Sequence, residues 1–424
     1  MPSKIEQILK ARDLRNNILF VLVLLAFFRL MAHIPIPGVN AQALTDFLGN
    51  PGNQVFGLLS LFSGGGMEKM SIVTMGVAPY ITASIIFQLL GMIVPKFEEM
   101  NKEESGRAKI NQWTRWLTVP IAMLQSYSVI LLLQRSSSAI FGNISLFGIF
   151  VNVMTITAGT VVLMWMGEII SEKKIGNGIS IMIFAGIISG LVSTIAQLIG
   201  TYDQSMLFTV IAFALVVLAT VVGVVVVNEA QRNIPVQYAR QIRGARAGGV
   251  SHLPLRVNMA GVMPIIFAVS IITLPQMIAQ FFTKAQSVWL QQAAEFIIKW
   301  SNHSLVYGLG YFVLVFGFTY FYTEIIFHPK RIAENLQNQG GFIPGIRPGR
   351  HTTEYLTDTV HKIVFGGALF LALIAVLPML VRLFAGNIPL LTIGGTSILI
   401  VVSVVIESIK QIEAQLSMRE YDTV

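Results

Sequence analysis

Ten stretches of this chain are each about as long and as apolar as a helix must be to cross a bilayer, about 20 residues. They fall near 18–34, 76–95, 116–133, 153–171, 179–200, 207–227, 258–282, 305–327, 363–381 and 389–409. No other feature constrains the fold so tightly. In hydrocarbon every backbone N–H and C=O must be bonded within the protein, so a spanning segment is a helix or part of a closed barrel. These runs lack the alternation of a barrel strand and are about twice its length. All ten read as helices, and the expected class is an all-α integral membrane protein. Composition agrees: of 424 residues, 54% are hydrophobic and 12% charged, too apolar for a soluble surface.

The charges that remain are unevenly placed. The amino-terminal stretch, the tail and alternate loops (96–115, 172–174, 228–257, 328–362) hold 23 of the 29 basic residues. The opposite loops hold Lys69, Arg135, Lys284, Lys299 and Arg382, and Arg29 lies inside the first run. Basic loops stay in the cytoplasm, so both termini are expected there. Residues 1–17 place Ile5, Ile8 and Leu9 on one face among basic residues, as in a helix resting on the inner leaflet. The run that follows is span-length and ends in "HIPIPG" without a small-residue cleavage site, unlike a cleaved signal.

The chain echoes itself. "GVAPYITA" (76–83) and "GVMPIIFA" (261–268) agree at five of eight positions and open the second and seventh runs. "GISIMI" (178–183) and "GTSILI" (395–400) share Gly, Ser and two Ile at the fifth and tenth. Both matches fall where spans one to five would correspond to six to ten. An odd number of spans per half turns the second copy over, which is an inverted repeat with a pore or binding site between its halves.

Ion-coupled carriers built this way usually hold ionisable groups near the bilayer centre. Here Glu168, Glu324 and Glu407 lie toward the ends of their runs. What the repeats share is β-branched: Val77 and Ile81 answered by Val262 and Ile266, and Ile183 by Ile400. Isoleucine in a membrane helix ordinarily packs or faces lipid; only its symmetric placement beside glycines argues for a shared constriction. Enzymatic readings find little support. There is no GxxxxGK[ST] and no HExxH, and the six histidines fall in loops or at span ends. No cysteine occurs, which excludes disulfides and thiolate-held metals. From the residues alone, a channel, a solute carrier and a membrane scaffold stay open.

Motifs in sequence along the chain are more specific: "HIPIPG", "LFSGGGMEKMSI", "GVAPYITASIIFQLL", "ESGRAKI", "LMWMGE", "KIGNGISI", "HLPLRVNMAGVMP", "FIPGIRPGR" and "GGTSILIVV". Over essentially its whole length the chain resembles the bacterial SecY family of protein-conducting channels. The resemblance implies ten helices in a five-plus-five clamshell, residues 18–200 against 207–409, with a central hourglass pore. It also implies a gate opening sideways to lipid, an unfolded polypeptide as substrate, no catalytic role, and no cofactor or metal.

Carried over by position, the family's pore ring falls on Val77, Ile81, Ile179, Ile183, Ile266 and Ile400, with Val77 standing where the family has isoleucine. An apolar, stiff collar suits a substrate that presents every side chain: it dewets when empty and holds no segment by charge. The plug corresponds to residues 58–70, including Leu61, Phe62, Ser63, Gly64, Gly65, Gly66 and Met67, whose glycine run disfavours stable helix. The lateral gate maps to spans two and three against seven and eight, with Thr82, Gln125 and Leu274 along it. The polar members are expected to bond between helices when it is shut.

The loops 228–257 and 328–362 are implied as partner-binding surfaces, with Arg243, Arg246, Arg347 and Arg350 foremost, ahead of a cytoplasmic tail at 410–424. Basic loops suit phosphate-rich ribosomal RNA. The partners implied are the ribosome, the motor ATPase SecA, the small membrane subunits SecE and SecG, signal peptides and lipid. The implied location is the bacterial plasma membrane. "VWLQQAAEFIIKW" reads as a helix lying in the opposite interface.

Overall fold

The computed structural model describes residues 11–40, 42–44, 66–67, 69–136, 140–141, 144–200, 207–238, 251–282, 287–385 and 395–422. Among them, thirteen helices of eight residues or more and one small sheet follow in order: α1 (Arg12–Met31), α2 (Ala78–Ile93), α3 (Pro95–Lys102), α4 (Glu104–Ser136), α5 (Leu146–Glu172), α6 (Gly178–Gly200), α7 (Leu207–Glu229), β1 (Gln231–Tyr238), β2 (Ser251–Arg256), α8 (Met263–Phe282), α9 (Val288–Asn302), α10 (Ser304–Ile326), α11 (Pro329–Asn338), β3 (Gly341–Phe342), α12 (Arg350–Ala385) and α13 (Gly395–Asp422).

Ten of these helices, α1, α2, α4 to α8, α10, α12 and α13, match the ten apolar runs one for one. By length and hydropathy alone, six helices among the described residues could cross a bilayer unaided, and seven if the bent pair α2 and α3 counts once. Several helices outrun their apolar stretch. α1 begins at Arg12, so the end of the amphipathic segment is continuous with the first span; α4 and α12 start well before their runs, and α13 continues to Asp422. Hydropathy marks where lipid ends, whereas a helix ends where its backbone finds a cap or a breaker.

Breakers and caps account for the boundaries. Val94, ahead of Pro95, takes an extended conformation (φ −110°, ψ 112°), as a residue before proline does, and α3 turns away from α2 by 110°. Phe87, Phe97 and Trp113 close the inside of that bend with ring centroids 5.8–6.3 Å apart. Ser145 caps α5 through its hydroxyl, which accepts from the Gly148 N–H at 3.2 Å.

The sheet was not foreseen from the residues. β1 pairs antiparallel with β2, Gln231 opposite Arg256 through Val236 opposite Ser251, and β3 adds to the other side of β1 at Gln237 and Tyr238. The stretches 231–238, 251–256 and 341–342 therefore belong to one structure, which we call the basic face. Ile234, Leu255, Ile343, Leu356 and Val360 form a small core between that sheet and α12.

The main apolar core runs through the bundle from α1 to α13. A second core, on the opposite face, joins Ile36, Leu44, Met67, Met70 and Met75 to Val129, Leu133 and Ile156. The helices of the first five spans and those of the second five meet along two seams. On one, α2 and α4 lie against α8; on the other, α6 lies against α13. At the second, Gln415 donates to the Lys174 carbonyl at 2.6 Å.

Candidate functional site: a constriction and a seam

The two echoing octapeptides adopt the same backbone. Gly76 and Gly261 are both left-handed, at φ 55° and 62°, where a Cβ is disfavoured. Each is followed by a buried valine, Val77 and Val262, and then a proline early in the helix, Pro79 and Pro264. Proline suits the first turn, where no N–H is missed and φ is already helical. In both copies the valine carbonyl accepts the first bond that fixes the ring position: from the Ile81 N–H at 3.1 Å and the Ile266 N–H at 3.3 Å.

The fifth span is set differently. The Asn177 side-chain oxygen caps α6, accepting from the N–H groups of Ile179 and Ser180 at 3.1 and 3.2 Å. The Gly178 N–H donates to the Ser171 hydroxyl at 2.8 Å, which donates to the Gly167 carbonyl at 2.9 Å. A methyl group on Gly178 would overlap that carbonyl oxygen.

Four helices thus converge. Val77 and Ile81 at the start of α2, Ile183 of α6, Ile266 of α8 and Ile400 of α13 are all buried in one apolar cluster, none more than 7% exposed. Ile179 packs against that cluster only partly buried, beside Gly167 of α5.

Next to this cluster, α2, α4 and α8 leave a cavity of about 30 Å³, room for one or two waters. It is lined by Ile81, Thr82, Gln125, Ile266, Ser270 and Thr273 among others. Thr82 and Gln125, expected along a gate, do face it, whereas Leu274 is half-buried one residue beyond the lining. The hydroxyls depart from the expectation of bonding between helices. Thr82 donates to Ala78 at 3.1 Å, Ser270 to Ile266 at 3.0 Å and Thr273 to Val269 at 3.0 Å, each the carbonyl four residues back in its own helix. A hydroxyl satisfied in this way holds nothing across the seam.

Of the plug stretch, Leu61, Phe62, Ser63, Gly64 and Gly65 lie outside the described residues. Gly66 and Met67 are placed: the Gly66 carbonyl accepts from the Ser71 N–H at 2.8 Å, and Met67 is buried in the second core beside α4 and α5. Arg243 and Arg246 are outside the described residues. Arg347 is exposed on the turn between β3 and α12, flanked by left-handed Gly345 and Gly349 (φ 81° and 95°). Its carbonyl accepts from the Thr352 hydroxyl at 3.0 Å. Arg350 opens α12 and pairs with Glu354 at 2.9 Å. Glu168 pairs with Arg115 of the neighbouring span at 2.7 Å.

Sequence reasoning missed a part-buried polar chain between three elements, Ser403, Asn228 and Asn258. Its signal was present: an asparagine three residues ahead of Gly261 in "RVNMAGVMP" and a second near the end of an apolar run.

Two sets of helices, opened by repeated glycine turns and closing on one apolar constriction beside a seam, define a multi-span membrane protein of the inverted-repeat channel class. The SecY family model matches residues 71–409. Along nearly its whole length the chain is similar to proteins named protein translocase subunit SecY. The one from Halalkalibacterium halodurans is 42% identical, covering 98% of each chain, and that from Corynebacterium glutamicum is 41% identical, covering 99% of each. The chain belongs to the SecY family.

Solved structures show the same fold. One described as a protein-conducting channel aligns with TM-score 0.61 at 18% identity, over 93% of this chain and 90% of the other. A second, on the plug domain of the SecY protein, gives 0.61 at 19% identity over 92% and 90%. Sec61 in a canine ribosome-channel complex gives 0.58 at 18% identity over 93% and 90%.

Proposed function

We propose that this protein is the protein-conducting channel of a translocase, passing unfolded secretory polypeptides across the membrane and releasing apolar segments sideways into lipid. The observation that carries the reading is the convergence of Val77, Ile81, Ile183, Ile266 and Ile400 from four helices on one buried cluster. In this reading they form the seal with Ile179 at its rim, in the closed state. Residues 58–70 are the displaceable plug, and the α2, α4 and α8 seam, with Thr82, Gln125 and Leu274, is the lateral gate. Residues 18–200 and 207–409 are the two halves.

The basic face is cytoplasmic in this proposal, with both chain ends on that side of a bacterial plasma membrane. There Arg243, Arg246, Arg347 and Arg350 engage a ribosome or the motor ATPase SecA, and SecE and SecG sit against the bundle. The ribosome is supported by the neighbour solved within a ribosome-channel complex, and the motor by the lack of a phosphate-binding motif in this chain.

The test is reconstitution into vesicles with SecE, SecG, SecA and ATP. A signal-bearing unfolded protein should become protected from external protease only when all are present. Uptake of a small solute by the chain alone, without polypeptide transport, would replace the channel with a carrier.

A further inference from the structure

Asn258 lies between β2 and α8, in the turn that leads to Gly261, and is 7% exposed. Its amide nitrogen donates to the Asn228 side-chain oxygen of α7 at 2.7 Å and to the Gly261 carbonyl at 3.3 Å. The Asn228 amide donates in turn to the Ser403 hydroxyl of α13 at 2.6 Å. Ser403 sits three residues, or about one helical turn, beyond Ile400, and Gly261 five residues ahead of Ile266. One chain of side chains therefore runs from the base of α8 to α13, between the two members of the constriction that the second half supplies.

Main-chain contacts hold the same turn. The Val257 N–H donates to the Ala230 carbonyl at 2.9 Å, and Gly367 of α12 brings its backbone so close that a methyl group there would meet the Val257 oxygen at 2.6 Å. The chain is nevertheless incomplete, because the Asn258 side-chain oxygen is buried without a partner among the described residues. A half-satisfied buried amide is a worse stabiliser than an alkyl group of its size, so bulk stability alone does not account for asparagine here. Hydrogen bonds, unlike apolar packing, lapse within a few tenths of an ångström, which suits them to fixing a depth.

We propose that Asn258 is a positioning residue: through Asn228 and Ser403 it fixes the depth of Ile266 against Ile400 and so keeps the constriction sealed. This rests on reading those isoleucines as the seal. The test uses the full translocase complex in planar bilayers, measuring resting ion conductance together with thermal stability. N258A should raise conductance several-fold while the complex inserts and keeps its melting temperature within a few degrees. N258D, which keeps the size and loses the donor, should leak likewise. S403A, a mild change in a helix, should leak less, and N258A/S403A no more than N258A alone, since the two act through one chain.

The seal itself is checked with Ile266 and Ile400 replaced by serine. If those variants leak while N258A and S403A conduct as wild type, the positioning role falls and the seal stands. If the serine variants do not leak, the seal reading falls and this proposal with it. Additive leakage in N258A/S403A, or lowered stability with wild-type conductance, would also overturn the role, reducing Asn258 to a packing residue.

Discussion

The turns that open α2 and α8 share a left-handed glycine, a buried valine and an early proline, yet they are anchored by different means. Before α2, the main chain does most of the holding, and the side chains that add to it, Ser71 and Thr74, bond only within the same turn. The Ile36 N–H bonds to the Met70 carbonyl at 2.9 Å and the Ile72 N–H to Ile34 at 3.0 Å, so "HIPIPG" lies along residues 70–72, and the Gly76 N–H returns to Val73 at 2.8 Å. Before α8, side chains from two other helices complete the support through Asn258. Repetition therefore preserved the local solution to a backbone problem while the two halves diverged in what surrounds it. Main-chain anchorage tolerates substitution; side-chain anchorage can be removed by a single change, and that asymmetry can be tested.

The largest effect is expected where the two copies act together. Replacing Ile81, Ile183, Ile266 and Ile400 with glycine, or with serine, should give well-inserted protein that leaks ions at rest in planar bilayers, while four leucines should keep the seal. Removing the alkyl groups lets water persist in the constriction. Conductance no greater than wild type in inserted glycine and serine variants would remove these residues from the seal.

Valine at Gly76 or at Gly261 probes the shared part. Each forces a β-branched residue into a left-handed turn and should cost about 1–3 kcal/mol, seen as a lower thermal transition in detergent. Around Gly261 an added Cβ meets nothing within 4 Å, so there the whole cost is backbone strain. If one glycine tolerates valine freely and the other does not, the turns are alike in shape only.

Gly178 opens its helix by a third route. Alanine there collides with the Gly167 carbonyl and the Ser171 hydroxyl, a close-packing fault of about 1–3 kcal/mol in the same melting experiment. An unchanged transition would show that α5 and α6 can separate without loss.

Smallest in stability is Arg347→Glu. An exposed turn residue should change melting by no more than about 0.5 kcal/mol, yet polypeptide transport driven by the motor should fall sharply. Normal transport would free Arg347 of any docking role, and failure to insert would make it structural.

The sequence was most legible where lipid dictates composition: ten apolar runs became ten helices because a bilayer allows little else. The glycine and proline of the repeats were equally plain, since few residues tolerate φ near 60°. What stayed hidden depended on distant partners. Residues 228–257 read as a charged loop because alternation in "QRNIPVQY" is weak and includes a proline, and only pairing with 251–256 and 341–342 makes 231–238 a strand. The bond partners of Thr82 and Ser270 could not be read either, because a hydroxyl on a membrane helix serves its own backbone or its neighbour's equally well. Ile179 and Ile183 look alike in "GISIMI", yet the second is fully buried while the first, beside Gly167, is only partly so.

The cleft beside the constriction has one property that follows from its lining. Met75, Ala78, Ile81, Thr82, Gln125, Val129, Ile266, Val269, Ser270 and Thr273 include no group that gains or loses a proton near neutrality. Such a seam has no reading of acidity or ionic strength to act on; it senses only whether what lies beside it is oily. Charged groups lie elsewhere, among them Arg347 and Arg350 on the turn after the sheet and the Arg115–Glu168 pair between α4 and α5. In the proposed reading the molecule thereby separates the place that yields from the place that receives instruction, and a signal given at one would travel to the other as movement of whole helices.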